Sequence, residues 1–423
     1  MFVSKLNSSM KIKSFIIGAA LLVSGMASYA QGHYDELLGQ STNPNVITTA
    51  VPFVSIAPDA RGGAMGDCGV SSEADVYSMH YNPAKYVYLE DDMSIGLGYS
   101  PWLHDLVPDM HLAYLAFARK LNSESAIGAT LRYFSCGDIK FRDEQGNELG
   151  DYKPNEWALD ATYSRMLTDY LSGAVAGRFI YSNLTQGVTD GSSVGWSVAA
   201  DVAVYYKRPV EWFRDMNADI AWGVCINNIG SKISYNYESI DKDFIPTTLR
   251  FGPSLKLDLD DYNSLSFMVD VTKLLVPTPP LYKRDEHNAF VIEDGELVIE
   301  EGMSDNVSVM SGIFQSFYDA PGYSYNEYGE KVGLGKFYEE LCEYNVGVGV
   351  EYWYNNVFGV RGGYFNETAL KGNRKYVTLG AALKYNVLGI DVSYLIPVNG
   401  TVGTNPLENT LRFNLTYNMG SSK

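Results

Sequence analysis

The stretch Leu411-Arg412-Phe413-Asn414-Leu415-Thr416-Tyr417-Asn418 decides the fold. Leu411, Phe413, Leu415 and Tyr417 alternate with Arg412, Asn414, Thr416 and Asn418, and a period of two puts each set on its own face of a β-strand. The same period returns in Leu265-Phe267-Val269-Val271 against Ser266-Asp270-Thr272, and in Ile390-Val392-Tyr394-Ile396 against Asp391-Ser393. A soluble sandwich would bury the apolar face in a core. A strand in lipid turns that face outward, and the barrel closed by such strands has a polar lumen.

The N-terminus indicates the compartment. Lys5, Lys11 and Lys13 precede the apolar run Phe15 to Val23, and Ser28-Tyr29-Ala30 ends in small residues before Gln31. This pattern predicts a secretory signal peptide over 1–30, cleaved after Ala30. No Cys follows the cleavage point, so lipid attachment is not expected there. Beyond residue 30 no apolar run approaches the roughly 18 residues of a transmembrane helix, so any insertion must use strands. The 32 Tyr suit an interfacial girdle, in which an aromatic body and a wet hydroxyl meet the bilayer boundary. They also suit a soluble adhesive β protein.

The net charge of −18 becomes −21 once three lysines leave with the signal, which excludes a nucleic-acid binder. Cys68, Cys136, Cys225 and Cys342 share no metal-like spacing, and their pairing is not legible. The chain contains no G-x-S-x-G, P-loop, H-E-x-x-H or Cys-x-x-Cys, and none of its five His forms a metal pair. Neither catalysis nor a cofactor is expected.

Strands are expected near 93–102, 109–119, 124–136, 155–166, 169–182, 193–206, 219–229, 246–257, 263–275, 343–354, 357–366, 373–386, 389–396 and 409–419. Their connections alternate. One set is tiny, as in Leu121-Asn122-Ser123, Leu167-Thr168, Asn355-Asn356 and Val387-Leu388, with Lys207 to Ala218 the long exception. The other set is long: Gly137 to Pro154, Gly230 to Ile245, Val276 to Cys342 and Pro397 to Glu408. Short turns on one rim and long loops on the other mark an outer-membrane barrel, and an even strand count puts both chain ends on the short-turn side. The fold expected is all-β: a transmembrane antiparallel barrel of about fourteen strands over 92–423. Charged residues such as Asp201, Arg250, Lys256, Arg361, Lys384, Asp391 and Arg412 then face the lumen, because a charge on the lipid face costs several kcal/mol near the midplane.

Residues 31–91 alternate poorly and carry Pro52, Pro58, Pro83 and a cluster of Gly. They read as a periplasmic extension or as a plug in the lumen. The loop over about 276–342 opens on Pro277-Thr278-Pro279-Pro280 and holds thirteen acids against four bases. Val309 to Tyr318 and Phe337 to Leu341 have helical apolar spacing, which predicts a partly helical external lobe that contacts a protein partner.

Pro52-Phe53-Val54-Ser55-Ile56-Ala57-Pro58-Asp59-Ala60-Arg61, then Gly63-Ala64-Met65-Gly66-Asp67, resembles PorV, an outer-membrane family of the type IX secretion system of Bacteroidota. The resemblance continues through Asn82-Pro83-Ala84-Lys85, Tyr99-Ser100-Pro101-Trp102-Leu103, Gln315-Ser316-Phe317-Tyr318-Asp319-Ala320-Pro321-Gly322 and Asn405 to Phe413, spanning essentially the whole mature chain. PorV-like proteins are similar to the FadL family, whose fourteen-stranded barrel carries an N-terminal hatch, so the resemblance implies a hatch over 31–91 inside the lumen. It further implies binding to the SprA (Sov) translocon, receipt of cargo bearing a C-terminal signal domain, and delivery to the attachment complex containing the sortase PorU. The alternative is FadL-like transport of a hydrophobic small molecule. Trp102, Leu103, His104, Phe314, Phe317 and Tyr318 are the residues expected to touch partners. Pro58, Asp59, Arg61, Asn82 and Lys85 are expected to pack and pair in the hatch, with Arg250, Arg361 and Arg412 facing them across the lumen.

Overall fold

A computed structural model describes residues 46–102, 109–142, 148–184, 193–213, 216–235, 242–285, 289–293, 296–325, 331–398 and 410–421. The signal-peptide expectation, the start of the hatch, Leu103, His104 and the Asn405–Asn409 segment lie outside these residues. Fourteen antiparallel strands close into one barrel in chain order. They are β1 (Asp91–Pro101), β2 (Met110–Asn122), β3 (Ser125–Cys136), β4 (Asn155–Met166), β5 (Leu171–Asn183), β6 (Gly195–Phe213), β7 (Met216–Gly230), β8 (Thr248–Asp258), β9 (Asn263–Leu274), β10 (Tyr344–Tyr354), β11 (Phe358–Asn366), β12 (Lys375–Tyr385), β13 (Leu388–Pro397) and β14 (Leu411–Ser421).

The opening stretch forms β14, and it closes the barrel by pairing with β1, Leu415 opposite Leu97 and Asn414 opposite Gly98. Closure removes the sheet edges that a bilayer does not tolerate. The period of two sorts every strand: in β4, Asp160, Thr162 and Ser164 are buried inward while Leu159 and Tyr163 point out with about half their surface bare. An outward face this apolar is stable in lipid. The connection between β6 and β7 departs from expectation. Both strands stay paired as far as Phe213 and Met216, so most of the long exception is strand. Among the described residues no helix is long and apolar enough to cross a membrane.

A bulge in β7 sets two residues, Asn227 and Asn228, between the β6 partners of Ile226 and Ile229. Asn228 adopts the left-handed conformation there, which an Asn tolerates better than most residues. The bulge aims the Asn228 amide at Asp201 Oδ1, 2.7 Å away.

The lumen is occupied by the hatch. Short helical turns at Pro52–Ser55, Ser78–His80 and Pro83–Tyr88 flank one four-residue helix, α1 (Ala60–Gly63). Pro begins two of these turns, where its missing N–H costs nothing. Asp59 caps α1 by accepting from Gly62 N, and Asn82 caps the third turn by accepting from Ala84 N. The wall makes room with glycine: a Cβ on Gly363 would sit 2.2 Å from the Gly66 nitrogen, and one on Gly349 2.7 Å from the Met65 Cβ. The four cysteines are free.

Candidate partner-binding site

The hatch is fastened to the wall by charges that lipid forbids on the outside. Glu351, on the inward face of β10, accepts from Arg61 Nε at 3.0 Å and Nη2 at 2.7 Å, and from Arg361 Nε at 2.7 Å. Arg361 stands directly opposite Glu351 in the β10–β11 ladder and also pairs with Asp391, while Arg61 reaches Asp75 at 2.9 Å. Lower in the lumen Glu73 pairs with Lys256 at 2.8 Å and Lys207 at 3.5 Å. Lys85 is buried and donates to Gly69 O and Ser72 Oγ. Asn82 donates to Val70 O in the hatch and Val204 O in the wall, both at 3.0 Å. Arg412 lies 3.6 Å from Asp67. Pro58 is buried, its carbonyl facing Gly98 of β1.

A second group of arginines holds the upper hatch. Arg132 donates to Phe53 O and Val54 O, and Arg178 pairs with Asp160 and Asp201. Arg132 Nη2 lies 3.1 Å from His80 Nδ1, and Arg250 Nη2 lies 3.5 Å from Nε2. A neutral imidazole accepts at one nitrogen, so only one of these guanidiniums is hydrogen-bonded to His80. A cavity of about 10 Å³ remains between Val54, His80, Arg178, Asn228 and Arg250. That is room for about one water.

The long-loop rim carries the exposed surface. Two short helices, α2 (Val309–Gln315) and α3 (Lys336–Cys342), build a lobe between β9 and β10. Ser308 caps α2. Phe314 is 65% exposed, Phe337 78% and Tyr318 61%, with Phe317, Tyr338 and Leu341 also bare. The lobe thus leaves several large apolar side chains uncovered. Trp102, by contrast, is half-buried and packs against the cluster of Val51, Phe53 and Ile245. It follows β1, close to half the circuit from the lobe, so the two expected partner surfaces sit on separate arcs of the rim.

The lobe is clamped by residues the sequence reading did not single out. Lys273 belongs to the outward face of β9, with Phe267, Val269 and Val271, yet it is fully buried. The lobe covers it: Glu343 lies at 2.5 Å, Glu340 at 3.5 Å, and the Phe317 ring centroid at 5.6 Å. Lys371 joins Glu343 and Glu339, each at 2.9 Å. Asp319 Oδ2 accepts from Thr278 N and Gln315 Nε2, tying α2 to the start of the loop. Burial, and next to it Glu343 and Glu340, push the Asp319 carboxyl up to about 7. Glu343 is held below its usual range by Lys371 and Lys273, which outweigh its burial. A lysine on the lipid-side period was the available signal, since it demands a cover.

Among the described residues no cluster of His, Cys, Asp and Glu could hold a metal ion. No curated protein matches the chain. Solved structures with a similar course include the Pseudomonas putida toluene transporter TodX (11% identity, TM-score 0.43, 89% of this chain and 98% of that one). The Ralstonia pickettii toluene transporter TbuX is similar (12%, 0.42, 86% and 98%), as is a Pseudomonas aeruginosa FadL homologue (11%, 0.38, 89% and 99%). Likeness at this level says nothing of what this chain carries. The family profile described as Type IX secretion system protein PorV matches residues 39–281, more than half of the chain. With a closed, lipid-facing barrel behind that match, the chain belongs to the PorV family, outer-membrane components of the type IX secretion system.

Proposed function

We propose that this chain is a non-enzymatic docking component of type IX secretion: it binds an SprA (Sov)-type translocon, accepts cargo bearing the C-terminal signal domain, and passes it to the attachment complex that contains a PorU-type sortase. The observation that carries this reading is the contrast between a packed lumen and a bare lobe. The hatch is fastened inside the barrel and the described cavity beside it holds about one water, whereas Phe314, Phe317, Tyr318 and Phe337 stand exposed on the long-loop rim. A protein that works by contact needs such a rim and no conduit. The FadL-like alternative, transport of a hydrophobic small molecule, requires an apolar pocket, and this cavity is lined by Arg178, Arg250, His80 and Asn228.

In this reading the signal over 1–30 is removed after Ala30, and the short turns and Ser421 face the periplasm. The lobe aromatics, with Trp102, Leu103 and His104 on the other arc, meet protein partners. Pro58, Asp59, Arg61, Asn82, Lys85, Arg250, Arg361 and Arg412 serve the plug. The test is a deletion strain complemented with wild-type or Phe314→Ala/Phe337→Ala chain. Wild type restores surface cargo and the double variant, inserted at equal level, restores far less. Equal restoration by both would remove the lobe from the mechanism.

A further inference from the structure

We propose that the chain enters the barrel through its long-loop mouth, so that Val46–Thr49 belong to the same face of the membrane as the acidic lobe. The hatch starts on the long-loop side and ends on the short-turn side, turning back at His80 to meet Arg132 beside Val54 before its last turn. Ala50 N–H donates to Phe244 O, in the long connection between β7 and β8, at 2.9 Å. Val51, Phe53 and Val54 pack with Ile233 and Ile245 of that connection and with Leu112 and Phe134, near the long-loop ends of β2 and β3. Gly66 N–H then bonds Thr378 in the long-loop half of β12, and the Gly69 and Val70 amides bond Asp270 in β9. Glu73 reaches Lys256 and Lys207, in the short-turn halves of β8 and β6. Ala84 O accepts from Ser172, the second residue of β5 after its turn, and Leu89 O accepts from Lys120 beside the β2–β3 turn. The hatch then becomes β1, whose Asp91 pairs with Ser421.

The described chain therefore starts at one rim and ends at the other, where an even strand count alone placed both ends on the short-turn side. Thr48 is exposed at the mouth. Through Phe244 this mouth also joins the lobe: a Cβ on Gly312 of α2 would lie 3.0 Å from the Phe244 ring. The hatch also ties the seam between β14 and β1: Tyr77 donates to Leu97 O or Leu415 O across it, and Ala60 N–H donates to Asn414 Oδ1.

The inference rests on the long loops facing outward, so the test carries its own orientation references. Thr48→Cys, Asn306→Cys in the lobe and Asp261→Cys in the β8–β9 turn are each treated with a membrane-impermeant maleimide on intact and on lysed cells. The native chain, whose cysteines are buried or half-buried, sets the background. The expected result is labelling of Thr48→Cys and Asn306→Cys on intact cells, and of Asp261→Cys only after lysis. Thr48→Cys labelled only after lysis, with Asn306→Cys labelled on intact cells, would overturn the inference and leave the orientation intact. Labelling of Asp261→Cys instead of Asn306→Cys would overturn the orientation, while Thr48→Cys tracking Asn306→Cys would still support a shared rim. No labelling at Thr48→Cys in either state, against full labelling of the unfolded chain, also counts against it.

Discussion

Removing the Glu351 carboxylate should loosen the hatch more than any other single change in the lumen. Its side chain is fully buried and takes three charge-assisted hydrogen bonds, two from Arg61 and one from Arg361. Glu351→Ala leaves Arg61 with Asp75 and the Glu73 carbonyl and Arg361 with Asp391, two buried cations that have lost their common anion. Breaking a buried pair on one side costs about 3–5 kcal/mol, most of it from the stranded charge rather than the lost attraction. Glu351→Gln keeps an acceptor oxygen without the charge and should lose about half as much. Pairing Glu351→Met with Arg61→Met removes one cation with the anion, so the double variant should lose less than the sum of the single ones. The assay is urea unfolding of the purified barrel in lipid vesicles, with proteolysis of the hatch as a second readout. A Glu351→Ala variant as stable as wild type, with a protease-resistant hatch, would refute the electrostatic account of the plug.

Other consequences are as direct. Gly363→Val should displace Met65–Gly66, since even a Cβ there meets the Gly66 backbone, and proteolysis of the hatch will report it. Lys273→Met should free the lobe while the barrel stays folded, because the lysine pairs with Glu343 and Glu340 at the wall; selective cleavage of 276–342 is the check. Asp319, raised to about 7, binds a proton more tightly in the clamped lobe than when released, so clamping weakens as pH rises from about 4 to about 7. Asp319→Asn should flatten that pH dependence of lobe cleavage, and an unchanged profile would contradict it. Phe314→Ala with Phe337→Ala should weaken partner binding by about 10- to 100-fold per buried aromatic, measured by titration against purified translocon.

Much of the fold was legible because lipid and period two act on every strand alike. All fourteen segments became barrel strands, and the two helical stretches of the large loop became α2 and α3. Misjudged was the Lys207–Ala218 connection, where Pro209 and the charges of Arg208 and Glu211 look like a loop; there β6 and β7 stay paired out to Phe213 and Met216. The lumen network was legible only in part. Alternation places Arg361 and Arg412 inward, but the Glu351–Arg61 contact joins residues 290 apart and depends on the path of the hatch. The hatch has no period, so its direction through the lumen was invisible. Lys273 was invisible for a related reason: strand alternation assigns it to lipid, and only the tertiary cover of Glu343, Glu340 and Phe317 reconciles it.

The central claim is that the chain acts by holding protein partners at its rim. Affinity purification of the tagged chain from native outer membranes, followed by mass spectrometry, tests it most directly. The account predicts a very large translocon barrel and a PorU-type sortase among the captured proteins, both lost with Phe314→Ala/Phe337→Ala. Capture of neither, together with hydrophobic-ligand uptake by the isolated barrel and intact surface cargo in the deletion strain, would contradict it.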